Sequence, residues 1–277
     1  MTTQIIGLGL IGGSFAKAIK AKTTHTVAGT DLDAGTLAAA LAEGAIDRAA
    51  DGIDPGAALL LVALYPHAAV EFVRRHAGEI PAGCLVVDLC GVKRTVCEGI
   101  TEALRDTGAD YIGGHPMAGR ELSGYGAASA GLFEGASMIL TPTPDTPRAR
   151  LDFCEDFFTQ LGFGRITYAT PQRHDELIAL TSQLAHVVSS AYVQSPAAEG
   201  HMGFSAGSFM DMTRVAKLNE DMWTELFLLN ADYLAEQTGQ LIDTLGAFKA
   251  AMEAGDEAGL KDMLRKGRET KERLLEQ

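Results

Sequence analysis

Short apolar runs separated by helical stretches fill the first 170 residues. One run covers residues 4–6 and leads through glycines into a helix to about residue 22; others lie at 26–30, 59–64 and 85–89. Each is bounded by turn residues, as expected of a strand buried on both faces of a parallel sheet. Strands alternating with helices predict βαβ units, with helices covering both faces of the sheet. Runs at 137–141 and 165–169 are expected to complete it. Beyond residue 169 the period lengthens. Thr170-Pro171 is a helix start, a hydroxyl N-cap followed by proline at the first helical position. From 171 to about 194, Leu177, Leu180, Leu184, Val187, Val188 and Ala191 fall on one face at helical spacing. No strand is expected from there to the end, and the stretch 258–277 reads as a charge-laced, solvent-exposed helix. The chain therefore divides into an α/β Rossmann-type domain over 1–169 and an all-α domain over 170–277.

Composition narrows the function. Of 277 residues, 47% are hydrophobic and 21% charged, enough for a normal core. The 23 Lys and Arg against 36 Asp and Glu give a formal net charge of -13. That argues against a nucleic-acid partner, which requires basic faces, but leaves room for a small anionic substrate held by a few local cations. Cys84, Cys90, Cys97 and Cys154 form no C-x-x-C pair and read as reduced thiols. The longest apolar runs, such as 57–64, are far short of a membrane span. With an apolar strand and a glycine loop within ten residues of Met1 and no basic leader, the protein is expected in the cytoplasm.

The glycine loop is Gly7-Leu8-Gly9-Leu10-Ile11-Gly12, set between the first strand and the first helix. In this motif the glycines allow a tight turn, close approach of a pyrophosphate and close helix–sheet packing, and the helix N-terminus attracts the anion. Asp31, at the end of the second strand, stands where an acid binds the adenosine ribose hydroxyls. A carboxylate there would repel a 2′-phosphate, which favours NAD over NADP. Tyr65 and Pro66, directly after the run at 59–64, join Gly7, Gly9, Leu10, Ile11, Gly12 and Asp31 as expected cofactor contacts. No metal site is expected.

Further along, Gly113-Gly114-His115-Pro116-Met117-Ala118-Gly119 puts a histidine on a rigid, non-helical segment suited to a positioned acid–base group. Glu121, Leu132-Phe133-Glu134-Gly135-Ala136 and Thr141-Pro142 follow. Together these stretches resemble the prephenate/arogenate dehydrogenase family. The opening Gly7 to Ser14 is similar to the family's, and residues 88–93 resemble its D-x-x-S-V-K segment. In the helical half, Ser182-Gln183-Leu184-Ala185-His186 looks like S-H-L-P-H, Gly207 to Ala216 like G-G-F-R-D-x-T-R-I-A, and Trp223 follows at the family's spacing.

The resemblance implies a helical dimerisation domain like the C-terminal one of 6-phosphogluconate dehydrogenase, and hence a homodimer. It implies NAD-dependent oxidative decarboxylation of prephenate or arogenate on the way to tyrosine. His115 matches the catalytic histidine that accepts the proton of the ring hydroxyl. Arg214 matches the arginine that holds a substrate carboxylate, which its planar fork can grip bidentately; a surface salt bridge is the plainer role. Glu121, Gln183 and His186 complete the expected substrate side, with a solvated rim position for Glu121 and a capped helix position for His186 as alternatives. Two positions depart from the pattern. The family serine is Gly91 here, preceded by Cys90, so another group or a water must orient His115. The first histidine of S-H-L-P-H is Gln183, which cannot carry charge. Two other classes remain: a β-hydroxyacid dehydrogenase, disfavoured because no lysine occurs between 171 and 214, and a non-catalytic NAD-binding sensor, favoured only by Gly91 and Gln183.

Overall fold

A computed structural model describes residues 1–120 and 122–276. The first compact unit spans Met1–Asn230 and a second begins at residue 231. The chain opens as β1 (Thr2–Ile6), α1 (Leu10–Lys22), β2 (Thr26–Thr30), α2 (Ala34–Ala42), β3 (Arg48–Ala49), β4 (Ala57–Val62) and α3 (Pro66–His76). It continues through β5 (Leu85–Asp88), α4 (Arg94–Leu104), β6 (Asp110–Pro116), β7 (Ser137–Thr141), α5 (Arg148–Gln160) and β8 (Arg165–Tyr168). The eight strands form one sheet in the order β3-β2-β1-β4-β5-β6-β7-β8.

The continuous apolar runs are explained by burial on both faces. Leu59 and Leu61 point into one core layer with Phe15, Ile19 and Phe133, while Leu60 and Val62 point into the other with Val73, Val96 and Ile100. A strand alternates its side chains between faces, so a run is apolar throughout only where both faces are covered. Truncating a fully buried leucine such as Leu60 would cost about 2–5 kcal/mol. Two strands lie outside the sequence expectation. β3 is a two-residue edge, and β6 carries Gly113, Gly114 and Pro116, residues that mask a strand. The sheet is also not wholly parallel as expected: β7 runs antiparallel to β6.

Past Tyr168 the described residues are helical or irregular. α6 (Pro171–Ile178) begins at Thr170, whose hydroxyl accepts from Arg173 N, and passes through a wide π-type turn (Ala179–Gln183) into α7 (Leu184–Val193). The inward face of this helix carries two polar residues, His174 and Asp175, beside Ile178 and Ala179. His174, Asp175 and Gln183 are at most 2% exposed, while Leu177 and Leu180 of the apolar stripe are 42% and 51% exposed. α8 (Gly207–Thr213), a short 3-10 turn (Arg214–Ala216) and α9 (Glu220–Leu229) complete the first unit. The second unit holds α10 (Ala231–Ala254) and α11 (Glu257–Leu275). They are joined at Gly255 with φ +63, a left-handed helix stop. α11 is laced with pairs such as Lys261–Glu257 and Arg268–Glu272. No helix among the described residues is long and apolar enough to cross a membrane.

Candidate active site

β1, β4, β5 and β6 are parallel, so their C-terminal ends share one sheet edge, and the strand order reverses there between β1 and β4. Crevices at such a reversal are where doubly wound sheets bind ligands. Gly7 follows β1 with φ +84, and a Cβ on it would lie 2.6 Å from the Ala63 carbonyl oxygen. A Cβ on Gly12 would lie 1.8 Å from the Gly7 oxygen, so only glycine lets α1 start this close to the strand. Gly9 is different: a Cβ there meets nothing within 4 Å, and α1 has no side-chain N-cap. Open space at an uncapped helix start, with the first-turn amides of Leu10, Ile11 and Gly12 facing it, fits a pyrophosphate. Asp31 braces the loop, accepting from Leu8 N at 2.7 Å and Asp33 N at 2.9 Å. Tyr65 N-caps α3 and is half-exposed, and Pro66 is buried as its first residue, both just past the end of β4.

His115 stands at the end of β6, half-buried, one residue before Pro116. Its Nδ1 is 2.8 Å from His174 Nε2 on α6, and His174 Nδ1 is 2.7 Å from Asp175 Oδ1. Asp175 also caps α4 from outside that helix. Its carboxylate accepts the backbone N–H groups of Lys93 at 2.7 Å and Arg94 at 2.9 Å, and the Arg94 Nε at 3.3 Å. A carboxylate is favoured at a helix N-terminus. Burial opposes its charge, but the bonds from His174 and these donors outweigh it and hold the Asp175 carboxyl below its ordinary range.

Beneath the histidines, Lys93 and Asp88 form an ion pair with neither side chain exposed. The remaining Asp88 valences are filled by Cys90 N at 2.9 Å and the Tyr111 hydroxyl at 2.7 Å, with Gly114 N at 3.4 Å. Burial first, then His174 and the Lys93 charge, hold the His115 imidazole well below its ordinary pKa. His174 is likewise lowered, by burial, against the opposing pull of Asp175. Cys90 is a buried thiol, pushed well above its ordinary value by burial.

The other expected residues fall in different places. His186 on α7 donates from Nδ1 to the Ser182 carbonyl at 2.9 Å and stacks on Trp223 with ring centroids 3.6 Å apart. Arg214 is exposed, in the turn that packs against α7. Gln183 is buried, not solvent-facing. It is sealed in, donating to the Leu226 carbonyl at 3.0 Å and accepting from Asn230 Nδ2 at 2.7 Å. Asn230 in turn donates to the Asp175 carbonyl and accepts from Arg94. The expected substrate side is thus divided: Gln183 lies in the protein interior, while His186 stacks on Trp223. Glu121 lies outside the described residues. His174 and Asp175, neither singled out in the sequence, are the residues missed. The available signal was that 174, 175, 178 and 179 share one helical face, two polar and two apolar.

A crevice at the strand-order reversal, a histidine at the neighbouring strand end and a helical second half are the marks of an oxidoreductase of the dinucleotide-binding class. The family model for the prephenate dehydrogenase nucleotide-binding domain matches residues 15–167, and that for the prephenate dehydrogenase dimerization domain matches 170–266. The chain belongs to the prephenate dehydrogenase family. It is 32% identical over 264 residues to a cyclohexadienyl dehydrogenase of Zymomonas mobilis, covering 91% of this chain and 88% of that one. It is 29% identical over 270 residues to a prephenate dehydrogenase of Bacillus subtilis, covering 94% and 72%. Among solved structures it is similar in fold to an A. aeolicus prephenate dehydrogenase solved with hydroxyphenyl propionate and NAD+. The TM-score is 0.86 at 24% identity, over 99% of this chain and 98% of that one.

Proposed function

We propose that the protein oxidatively decarboxylates prephenate to 4-hydroxyphenylpyruvate with NAD, in tyrosine biosynthesis. Arogenate, which would give tyrosine directly, is the alternative substrate, and the cyclohexadienyl dehydrogenase relative keeps it open. The observation that carries the reading is His115 at the strand end beside the dinucleotide crevice, bonded to His174 and with its proton affinity depressed by burial.

The glycine loop and the α1 N-terminus would hold the cofactor pyrophosphate, Asp31 the ribose hydroxyls, and Tyr65 and Pro66 would flank them. A nicotinamide held there would supply the acceptor for a hydride from the ring carbon that bears the hydroxyl. His115 takes the hydroxyl proton as that carbon becomes a carbonyl. Loss of CO2 from the opposite ring carbon leaves its bonding pair in the ring, which becomes aromatic as a phenolate. His115 returns the proton to that oxygen, so no proton is lost overall. Arg214 would grip a substrate carboxylate, and His186, fixed by Ser182 and Trp223, would line the same side.

Apolar side chains exposed on the first unit, such as Leu177 and Leu180, support a homodimer built through the helical half. Four buried, unpaired thiols support a reducing, cytoplasmic setting. The His115–His174–Asp175 chain argues against a sensor that has lost turnover. Steady-state NADH formation with prephenate, and separately with arogenate, tests the reading. Turnover of either supports it, and turnover of neither rejects it.

A further inference from the structure

We infer that His174 and Asp175 set the tautomer of His115 and take the place of the hydroxyl missing at Gly91. The inference rests on the reading of His115 as the base. An ionised carboxylate can only accept, so Asp175 fixes the His174 proton on Nδ1. Neutral His174 then presents a lone pair at Nε2, and the 2.8 Å contact requires His115 to donate from Nδ1. The His115 Nε2 is left without a proton, as a general base must be. That nitrogen faces Gly91, where a Cβ would come within 4.0 Å of it. A family-type serine there would touch the base nitrogen itself, whereas in this chain the ring is held from its opposite side.

The charged and titratable groups around the pair support one state. Asp175 and the flanking Arg94 lie on the far side of His174, and the Lys93–Asp88 ion pair lies beneath both rings. The Lys93 charge disfavours a second positive charge on either imidazole. Both rings therefore rest neutral, and the tautomer is decided by the carboxylate bonded to His174 Nδ1. A free imidazole prefers its proton on Nε2, the form that cannot accept from substrate. His174 and Asp175 are accordingly positioning residues: they touch no reacting atom and act through His115. Asp175 ties this arrangement to α4, whose first two amides it caps, so the relay is anchored to a helix start.

The test combines imidazole 15N NMR on the resting enzyme with kinetics of two variants. The His115 signals, assigned by their loss in His115→Asn, are expected to report Nδ1–H and bare Nε2. His174→Gln keeps an acceptor for His115 and a donor for Asp175, and is expected to retain most of kcat. His174→Phe removes the acceptor; kcat should fall about tenfold to a hundredfold, with the substrate KM and NAD affinity unchanged. Its His115 should shift to Nε2–H. If His174→Phe does not fold, the wild-type tautomer and the glutamine variant still decide. An Nε2–H tautomer in the wild-type enzyme, or a His174→Gln loss as large as that of His115→Asn, overturns the inference. Because the NMR needs no substrate, its result stands apart from the proposed reaction, which fails instead if neither cyclohexadiene is turned over.

Discussion

Lys93 and Asp88 neutralise one another with no exposure to solvent, directly under the strand end that carries His115. Removing one partner of such a pair strands the other. Lys93→Met leaves Asp88 with only Tyr111 and backbone donors, and should cost about 3–5 kcal/mol in urea unfolding. Adding Asp88→Asn should recover part of that loss, because the uncompensated charge goes too. A double variant no more stable than the single one would show that the pair does not act through its charges.

The pH profile follows from the same charges. A base must be neutral, so activity is lost when His115 binds a proton. Burial, His174 and Lys93 depress its affinity for that proton. The acid limb of kcat/KM should therefore lie below the ordinary value of about 6.5, with a flat profile through neutral pH. The same variant, Lys93→Met, should move that limb upward. A limb at or above the ordinary histidine value in the wild-type enzyme would contradict the environment described.

Gln183 and Arg214 should separate into a stabilising and a binding residue. Gln183→Ala leaves the Leu226 carbonyl and Asn230 Nδ2 unsatisfied, a loss of roughly 1–3 kcal/mol in stability. The ratio of efficiencies on prephenate and arogenate should not move. Arg214→Gln should weaken both substrates about tenfold to a hundredfold, since both carry the ring carboxylate and one charged hydrogen bond is worth about 1.5–3 kcal/mol. A changed substrate ratio in Gln183→Ala at unchanged stability would return that residue to the substrate side.

Leu180, half-exposed on the outward stripe of the first unit, tests the assembly. Leu180→Asp should shift the sedimentation mass at micromolar concentration from two chains towards one, with the far-ultraviolet spectrum retained. A wild-type mass of one chain would remove the dimer from the account.

The sequence reveals most where one period dominates. The strands at 26–30 and 137–141 match their structural bounds, because buried strands between turn residues have a single explanation. β6 is hidden because it carries two glycines and a proline, residues that weaken every strand signal. Gly113 and Gly114 are there for close approach, not for propensity. His174 and Asp175 escaped for another reason. A polar helical residue looks the same in sequence whether it meets water or a buried network, and here Leu177 and Leu180 lie outward while His174 and Asp175 pair inside. The burial of Gln183 is hidden by the same ambiguity. Partners such as Asn230, 47 residues away, come from tertiary structure that no local pattern contains.

In the proposed reaction His115 removes the ring hydroxyl proton while the ring is oxidised and loses CO2. Purified enzyme mixed with NAD and prephenate should release NADH and CO2 in equal amounts, and His115→Asn should lose most of that turnover while still binding NAD. NADH without matching CO2, or a His115→Asn variant with the wild-type rate and pH profile, would contradict it.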